Sequence, residues 1–182
     1  QPSVMVVSNL GAPSIDPYSL QTVCDSFTVP SITGISLTGS EEYYDTTGGP
    51  GGGGAPVAVG TVITSSTVLY AYDVNGVCAS EEILNITVNI SPDVTPVVDQ
   101  VACDSFPLQP ITGTNLTGNE AYYDASGGPL GGGSPLSVGG TITTQGVTTV
   151  YIYDETGTSP NCPDEESFTV TINLTPARSE ER

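Results

Sequence analysis

Carboxylates, tyrosines and cysteines are the groups in this sequence best placed to do chemistry, and each recurs at matched positions. The acidic set is Asp25 and Asp104, Glu41 and Glu120, Asp45 and Asp124, Asp73 and Asp154, followed by Glu81 and Glu82 with Glu165 and Glu166. Twenty Asp and Glu face two basic residues, so these carboxylates have almost no side-chain cation to pair with. Gathered by a fold, such groups would suit a hard cation, and Ca²⁺, which takes six to eight oxygens, is the candidate cofactor. No EF-hand or repeat-type calcium motif is present, and the competing reading is ordinary solvated turn acids. A glycosidase pair of carboxylates is allowed in principle and signalled by nothing in the spacing.

Tyr70 and Tyr72, with their counterparts Tyr151 and Tyr153, combine a flat apolar face with a polar tip and offer a surface on which a sugar could stack. The competing reading is half-buried strand packing, and the lack of Trp removes the strongest stacking residue. The Gly-rich runs TTGGPGGGGAP and ASGGPLGGGSP raise the question of a phosphate cradle. No GK[ST] follows and the surrounding charge is negative, so they read as strand-connecting loops.

Whole classes of function drop out on composition. There is no His and no Lys, which removes Ser-His-Asp and Cys-His centres, Schiff-base lysines and the phosphate lysine of P-loops. The expectation is a non-enzymatic protein. A net charge of −18, with Arg178 and Arg182 confined to the C-terminal tail, argues against nucleic acid and against an anionic membrane surface as partners. No run approaches the roughly 20 apolar residues of a membrane span, and no basic segment followed by an apolar one opens the chain. Gln1 and Arg182 read equally as processing points and as arbitrary ends.

The elements that position these residues come in two copies. CDSFTVPSITGISLTGSEEYYDTTGGPGGGGAPVAVG from Cys24 returns as CDSFPLQPITGTNLTGNEAYYDASGGPLGGGSPLSVGG from Cys103. Beyond the Gly-rich loop, YAYDVNGVC matches YIYDETGTSPNC, and ILNITVNI matches SFTVTINL. Ile86, Val88 and Ile90 alternate with polar residues, as do Phe168, Val170, Ile172 and Leu174, which is the period of a strand with one wet face. In LYAYD and VYIYD the residues Leu69, Ala71, Val150 and Ile152 point opposite to the four tyrosines. Short strands, Gly, Pro and Asn turns and no helical period predict an all-β chain of two tandem Ig-like β-sandwich domains. Their expected bounds are residues 15–92 and 93–176, with a strand and linker over 1–14, a tail over 177–182, and SPDVTPVV as the stiff join.

Each unit holds one cysteine near its start and one near its end, so the natural pairing of three possible ones is Cys24 with Cys78 and Cys103 with Cys162. A staple across a loop of about 54 residues would contribute roughly 4 kcal/mol by loop entropy, and implies an oxidising compartment. A four-thiolate metal site would need two domains to converge and lacks CxxC pairs.

YAYDVNGVCASEE, YIYDETGTSPNCPDEESFTVTI, CDSF and ITGTNLTGNEAYY resemble repeats of very large Bacteroidota cell-surface proteins. Those repeats are similar to gliding-motility adhesins and other giant exported proteins of the type IX secretion route, and the resemblance covers nearly everything beyond Cys24. It implies an extracellular adhesin or filament on a bacterial cell surface. The Gly-rich insert is longer than the loops of that family. In the same context DTT at 45–47 resembles a Bacteroidota O-glycosylation acceptor, which makes Thr46 a modification candidate. The N-x-[ST] sequons at Asn85, Asn89, Asn115 and Asn173 are inert in a bacterium.

The function expected is a disulfide-stapled spacer or polymer subunit, with a carbohydrate- or calcium-dependent binding module as the alternative. SVMVVS, carrying Val4, Met5, Val6 and Val7, resembles the end-of-unit strand ITVNIS. It reads as an assembly strand for head-to-tail self-association, or for pairing with a neighbouring repeat of a longer chain, through an open sheet edge. A surface glycan is the other partner considered.

Overall fold

Strand-period alternation sets the longest elements, and the computed structural model, which describes residues 11–176, places them at the centre of each of two units dividing between Asn89 and Ile90. In the first unit the strands are β1 (Ser14–Ile15), β2 (Gln21–Cys24), β3 (Phe27–Thr28), β4 (Gly34–Ile35), β5 (Glu42–Tyr44), β6 (Pro56–Val57), β7 (Val62–Ile63), β8 (Thr67–Asn75) and β9 (Cys78–Asn89). A five-stranded sheet runs β2-β9-β8-β5-β6, with β2 parallel to β9 and the other pairs antiparallel. Two short ribbons, β1-β4 and β3-β7, complete the unit.

The core lies between that sheet and the ribbons. Leu69 and Ala71 of β8 and Leu84, Ile86 and Val88 of β9 meet Ile15, Val29, Ile32 and Tyr43, all buried, with Phe27 and Ile63 packed against them. Leu84 is fully enclosed, so Leu84→Ala should cost about 2–5 kcal/mol. The order β6-β5-β8-β9 follows the C′-C-F-G sheet of an immunoglobulin-like sandwich, while β1, the broken β3/β4 and β7 stand where strands A, B and E would.

The second unit repeats this plan with β10 (Asp93–Val94), β11 (Gln100–Cys103), β12 (Phe106–Pro107), β13 (Gly113–Thr114), β14 (Ala121–Tyr123), β15 (Pro135–Leu136), β16 (Thr141–Ile142), β17 (Gly146–Glu155) and β18 (Pro163–Asn173). Its sheet runs β11-β18-β17-β14-β15, with ribbons β10-β13 and β12-β16. Val94, Leu108, Tyr122, Val150, Ile152, Phe168, Val170 and Ile172 form its core. No α-helix occurs among the described residues.

The fold class is therefore all-β, in two tandem Ig-like units. Two details depart from the pattern. The apolar alternation overruns the strands by one step: Ile90 and Leu174 are about half exposed and lie beyond β9 and β18. SPDVTPVV is only partly a linker, because Asp93 and Val94 already pair with Thr114 and Gly113 in the second unit. The segment carrying Val4, Met5, Val6 and Val7 lies outside the described residues, as does the tail from residue 177.

Candidate functional site

The cysteines sit at the ends of the sheets. Cys24 closes β2 and lies opposite Asn89, the last residue of β9, because β2 runs parallel to β9. Cys78 is the first residue of that same 12-residue strand. At about 3.3 Å per residue the strand separates the two by some 35 Å, whereas a disulfide needs Cα atoms about 4.4–6.8 Å apart. The second unit repeats the arrangement: Cys103 lies opposite Asn173, and Cys162 immediately precedes β18.

The expected staples Cys24–Cys78 and Cys103–Cys162 are therefore not formed. Cys24 and Cys162 are disulfide-bonded, and Cys78 and Cys103 are exposed free thiols. The expectation failed because it paired the cysteines by their places near the start and the end of each unit, and those places lie at opposite ends of one sheet. We call the end carrying Cys24 or Cys103 the exit pole, since β9 and β18 finish there. The end carrying Cys78 or Cys162 is the entry pole: Ile15 of β1 donates its N–H to Ser80 Oγ there (3.0 Å), as Val94 of β10 does to Asp164 Oδ2 (2.7 Å). At the exit pole the CDSF corner turns on Asp25 and Asp104, both in the left-handed region at φ 61° and 64°, a conformation that Asp tolerates.

The eight paired carboxylates are spread over turns and the far ends of β8 and β17. Asp73 is buried on the core face of β8, where its two oxygens accept the backbone N–H of Thr38 (2.9 Å), the Thr38 hydroxyl and the N–H of Val74 (2.9 Å). Asp154 does the same with Thr117 N–H (2.8 Å), the Thr117 hydroxyl and Glu155 N–H (2.9 Å). Asp45 Oδ1 accepts Ala55 N–H at 2.8 Å and Asp124 Oδ1 accepts Ser134 N–H at 2.6 Å. Glu41 and Glu120 each accept an N–H, from Gly39 and Gly118, at 2.9 Å. Asp104 Oδ1 accepts Thr175 N–H at 2.8 Å, and Asp25 donates its own N–H to Asn89 O at 2.8 Å. Among the described residues no three acidic or cysteine side chains come together as a metal group. Carboxylates satisfied by N–H and O–H donors need no cation to be stable in these turns.

The Gly-rich loops pack on the outer face of their own sheets. Gly49, at φ 54°, lies against the ring of Tyr72, and a Cβ there would fall 2.5 Å from Tyr72 Cδ1. Gly128, at φ 52°, does the same on Tyr153, at 2.4 Å. The loops are tied by Glu81, whose carboxylate accepts Gly48 N–H (2.6 Å) and the Thr47 hydroxyl (2.5 Å), and by Glu165, which accepts Gly127 N–H (2.6 Å) and the Ser126 hydroxyl (2.5 Å). Tyr44 and Tyr72, and Tyr123 and Tyr153, meet edge to face at 6.3 and 6.2 Å between centroids.

The Tyr72 and Tyr153 rings thus carry the loop instead of an open stacking face, while Tyr70 and Tyr151 are half-buried beside them. Burial pushes the Tyr153 hydroxyl up to about 12, helped by Glu155, which accepts its proton at 2.7 Å. Thr46 is exposed in the first loop. Sequence reasoning missed the Thr38 and Thr117 partners; the paired recurrence of LTG with YD was the signal that could have found them.

What the strand order defines is a class: an all-β protein of tandem immunoglobulin-like repeats. No known family profile matches the chain, and no curated protein does. Among solved structures it is similar to mouse cadherin-23 EC22–24 (12% identity, TM-score 0.33, 90% of this chain and 65% of that one). It is also similar to the N-terminal four Ig domains of Dscam1 isoform 4.4 (13%, 0.34, 91% and 46%). A third is titin z1z2 in complex with telethonin (9%, 0.39, 92% and 100%). The chain spans about half to two thirds of the first two in length.

Proposed function

We propose that this chain is a non-enzymatic structural unit of an extracellular adhesin or filament, a tandem spacer on a bacterial cell surface. The observation that carries this reading is the exact recurrence of the internal locks. Asp73–Thr38 and Glu81–Gly48 return as Asp154–Thr117 and Glu165–Gly127, so what the two units hold in common is the means of staying folded. The bonded state of Cys24 and Cys162 supports an oxidising compartment, and the net charge of −18 keeps such a repeat soluble. The repeat resemblance to Bacteroidota surface proteins supports the location.

The test pulls the full chain, its bonded cysteines Cys24 and Cys162 first reduced, between two handles in a force instrument. Two separate unfolding events are expected, each releasing roughly 25–30 nm of chain at about 3.5 Å per residue. One merged event, or binding on a glycan array that Tyr70→Ala and Tyr151→Ala abolish, would favour the binding-module reading instead.

A further inference from the structure

We propose that the second unit carries a docking cup for a tyrosine side chain of a partner protein, flanked there by basic residues, at the position where the first unit seats its own Tyr18. The site lies wholly within the second unit and does not depend on the spacer reading.

The first unit shows what this position can hold. Tyr18 is half-buried over the core, its ring centroid 6.1 Å from that of Tyr43, and its hydroxyl accepts the Tyr43 O–H at 2.8 Å. The segment around it, SIDPYSLQTVC, returns as DVTPVVDQVAC, so Val97 stands where Tyr18 does and Tyr122 where Tyr43 does. Valine brings no ring. Tyr122 donates its O–H to the backbone oxygen of Gln109 instead, at 2.9 Å. Ile111 is only half-buried, whereas its equivalent Ile32 is buried.

What results is a cavity of about 40 Å³ walled by Val97, Phe106, Ile111, Tyr122, Ile152 and Phe168, with the exposed Gln109, Pro110 and Thr112 at its rim. Its floor carries more bulk than that of the first unit, since Ile152 and Phe168 replace Ala71 and Leu84. Phe168 meets Tyr122 edge to face at 6.2 Å between centroids. A closed apolar cavity of about 150 Å³ takes a whole benzene. The smaller cup takes the edge of a ring and leaves the rest lying over Val97, which is how Tyr18 sits, half-buried, in the first unit. A free phenol seated that shallowly gains little against its lost freedom of motion. A ring carried on a peptide adds contacts along the rim and is the favoured occupant.

Charge selects the flanks. Glu166 pairs with Ile152 across β17 and β18 and so shares the face of the sheet on which the cup lies. Asp99 follows Val97 by two residues and is exposed, accepting Thr169 N–H at 2.7 Å. Residues 11–176 contain no Lys or Arg to neutralise either carboxylate. A basic partner segment supplies that charge, and an acidic one is repelled.

The experiment titrates the isotope-labelled full chain with acetyl-Arg-Tyr-Arg-amide, with acetyl-Arg-Leu-Arg-amide and with p-cresol, and reads side-chain methyl shifts by NMR. The tyrosyl peptide is expected to move Val97, Ile111 and Ile152 saturably, several-fold more tightly than p-cresol, and less tightly as salt rises. The leucyl peptide should leave them in place, and Ile32 and Ala71 of the first unit should not respond. Val97→Tyr closes the cup with the chain's own ring and should abolish binding. Tyr18→Val should open a cup in the first unit, so that Ile32 and Ala71 now shift. Absence of any shift at Val97, Ile111 and Ile152, equal binding of the leucyl peptide, equal binding of p-cresol, or binding that survives in a folded Val97→Tyr chain would each overturn the proposal.

Discussion

Asp73 accepts both the backbone N–H and the hydroxyl of Thr38, 35 residues earlier in the chain, and does so from a position only 1% exposed. That pair fastens the loop between β4 and β5 to the end of β8. A buried carboxylate with no cation nearby is tolerated because three donors converge on its two oxygens.

Asp73→Asn keeps the shape but turns an amide N–H₂ toward one of those donors, leaving buried polar groups unpaired. The expected cost is about 1–3 kcal/mol in the first unit, and the same for Asp154→Asn in the second. In a domain of this size that is a fall in Tm of roughly 4–8 °C per kcal/mol. Calorimetry of the full chain should show one unit's transition lowered and the other's unmoved; wild-type melting in either variant would remove the lock from the account.

The Gly-rich loops make a second prediction. Gly49 and Gly128 combine a left-handed φ with a Cα pressed onto a tyrosine ring, so Gly49→Ala and Gly128→Ala incur backbone strain and a collision together. A loss of about 1–3 kcal/mol is expected for each. The double variant Gly49→Ala/Tyr72→Ala should lose less than the sum of its parts, since removing the ring relieves the collision. Strict additivity in urea titrations would show that the ring and the loop do not press on each other.

The repeat, the strands and the packed faces of LYAYD and VYIYD were legible because period-2 alternation is local, and a residue's neighbours reveal which side it takes. Cysteine pairing was not, because it depends on which strand lies beside which. That Cys24 stands opposite Asn89 follows from the parallel pairing of β2 with β9, two segments about 65 residues apart that no local pattern links. For the same reason the sequence left the acids between a cation site and ordinary turn acids, whereas the structure gives Asp45 to Ala55 and Glu41 to Gly39. The tyrosines were left between strand packing and a stacking surface because nothing in a Gly run says which ring it will lie on.

Alkaline pH should unfold the protein through its tyrosines. Burial raises Tyr18, Tyr43, Tyr44 and Tyr122, and takes Tyr153 to about 12, against roughly 10 in an unfolded chain. The folded state keeps protons that the unfolded state gives up, so this stability is fully present below pH 10 and is lost as pH rises toward 12. Denaturant midpoints should be level between pH 8 and 9.5 and lower at pH 11, with Tyr153→Phe flattening the decline. A midpoint that rises across that range would reverse the assignment.

Reduction supplies the last test. A staple within each unit would make both cores depend on it, and a reducing agent would then lower both melting transitions steeply. Here neither unit joins its own two cysteines, and each core is built from side chains of its own: Leu84, Ile86 and Tyr43 in one, Val150, Phe168 and Tyr122 in the other. Because Cys78 and Cys103 are free, reducing Cys24 and Cys162 removes no constraint between the ends of either unit's sheet. The two transitions measured with and without reductant are therefore expected to agree within a few degrees, and the Cys24→Ser chain should match them. A drop of 10 °C or more in either transition would mean that the bond is part of that unit's own stability, and would return the cysteines to the role of domain staples.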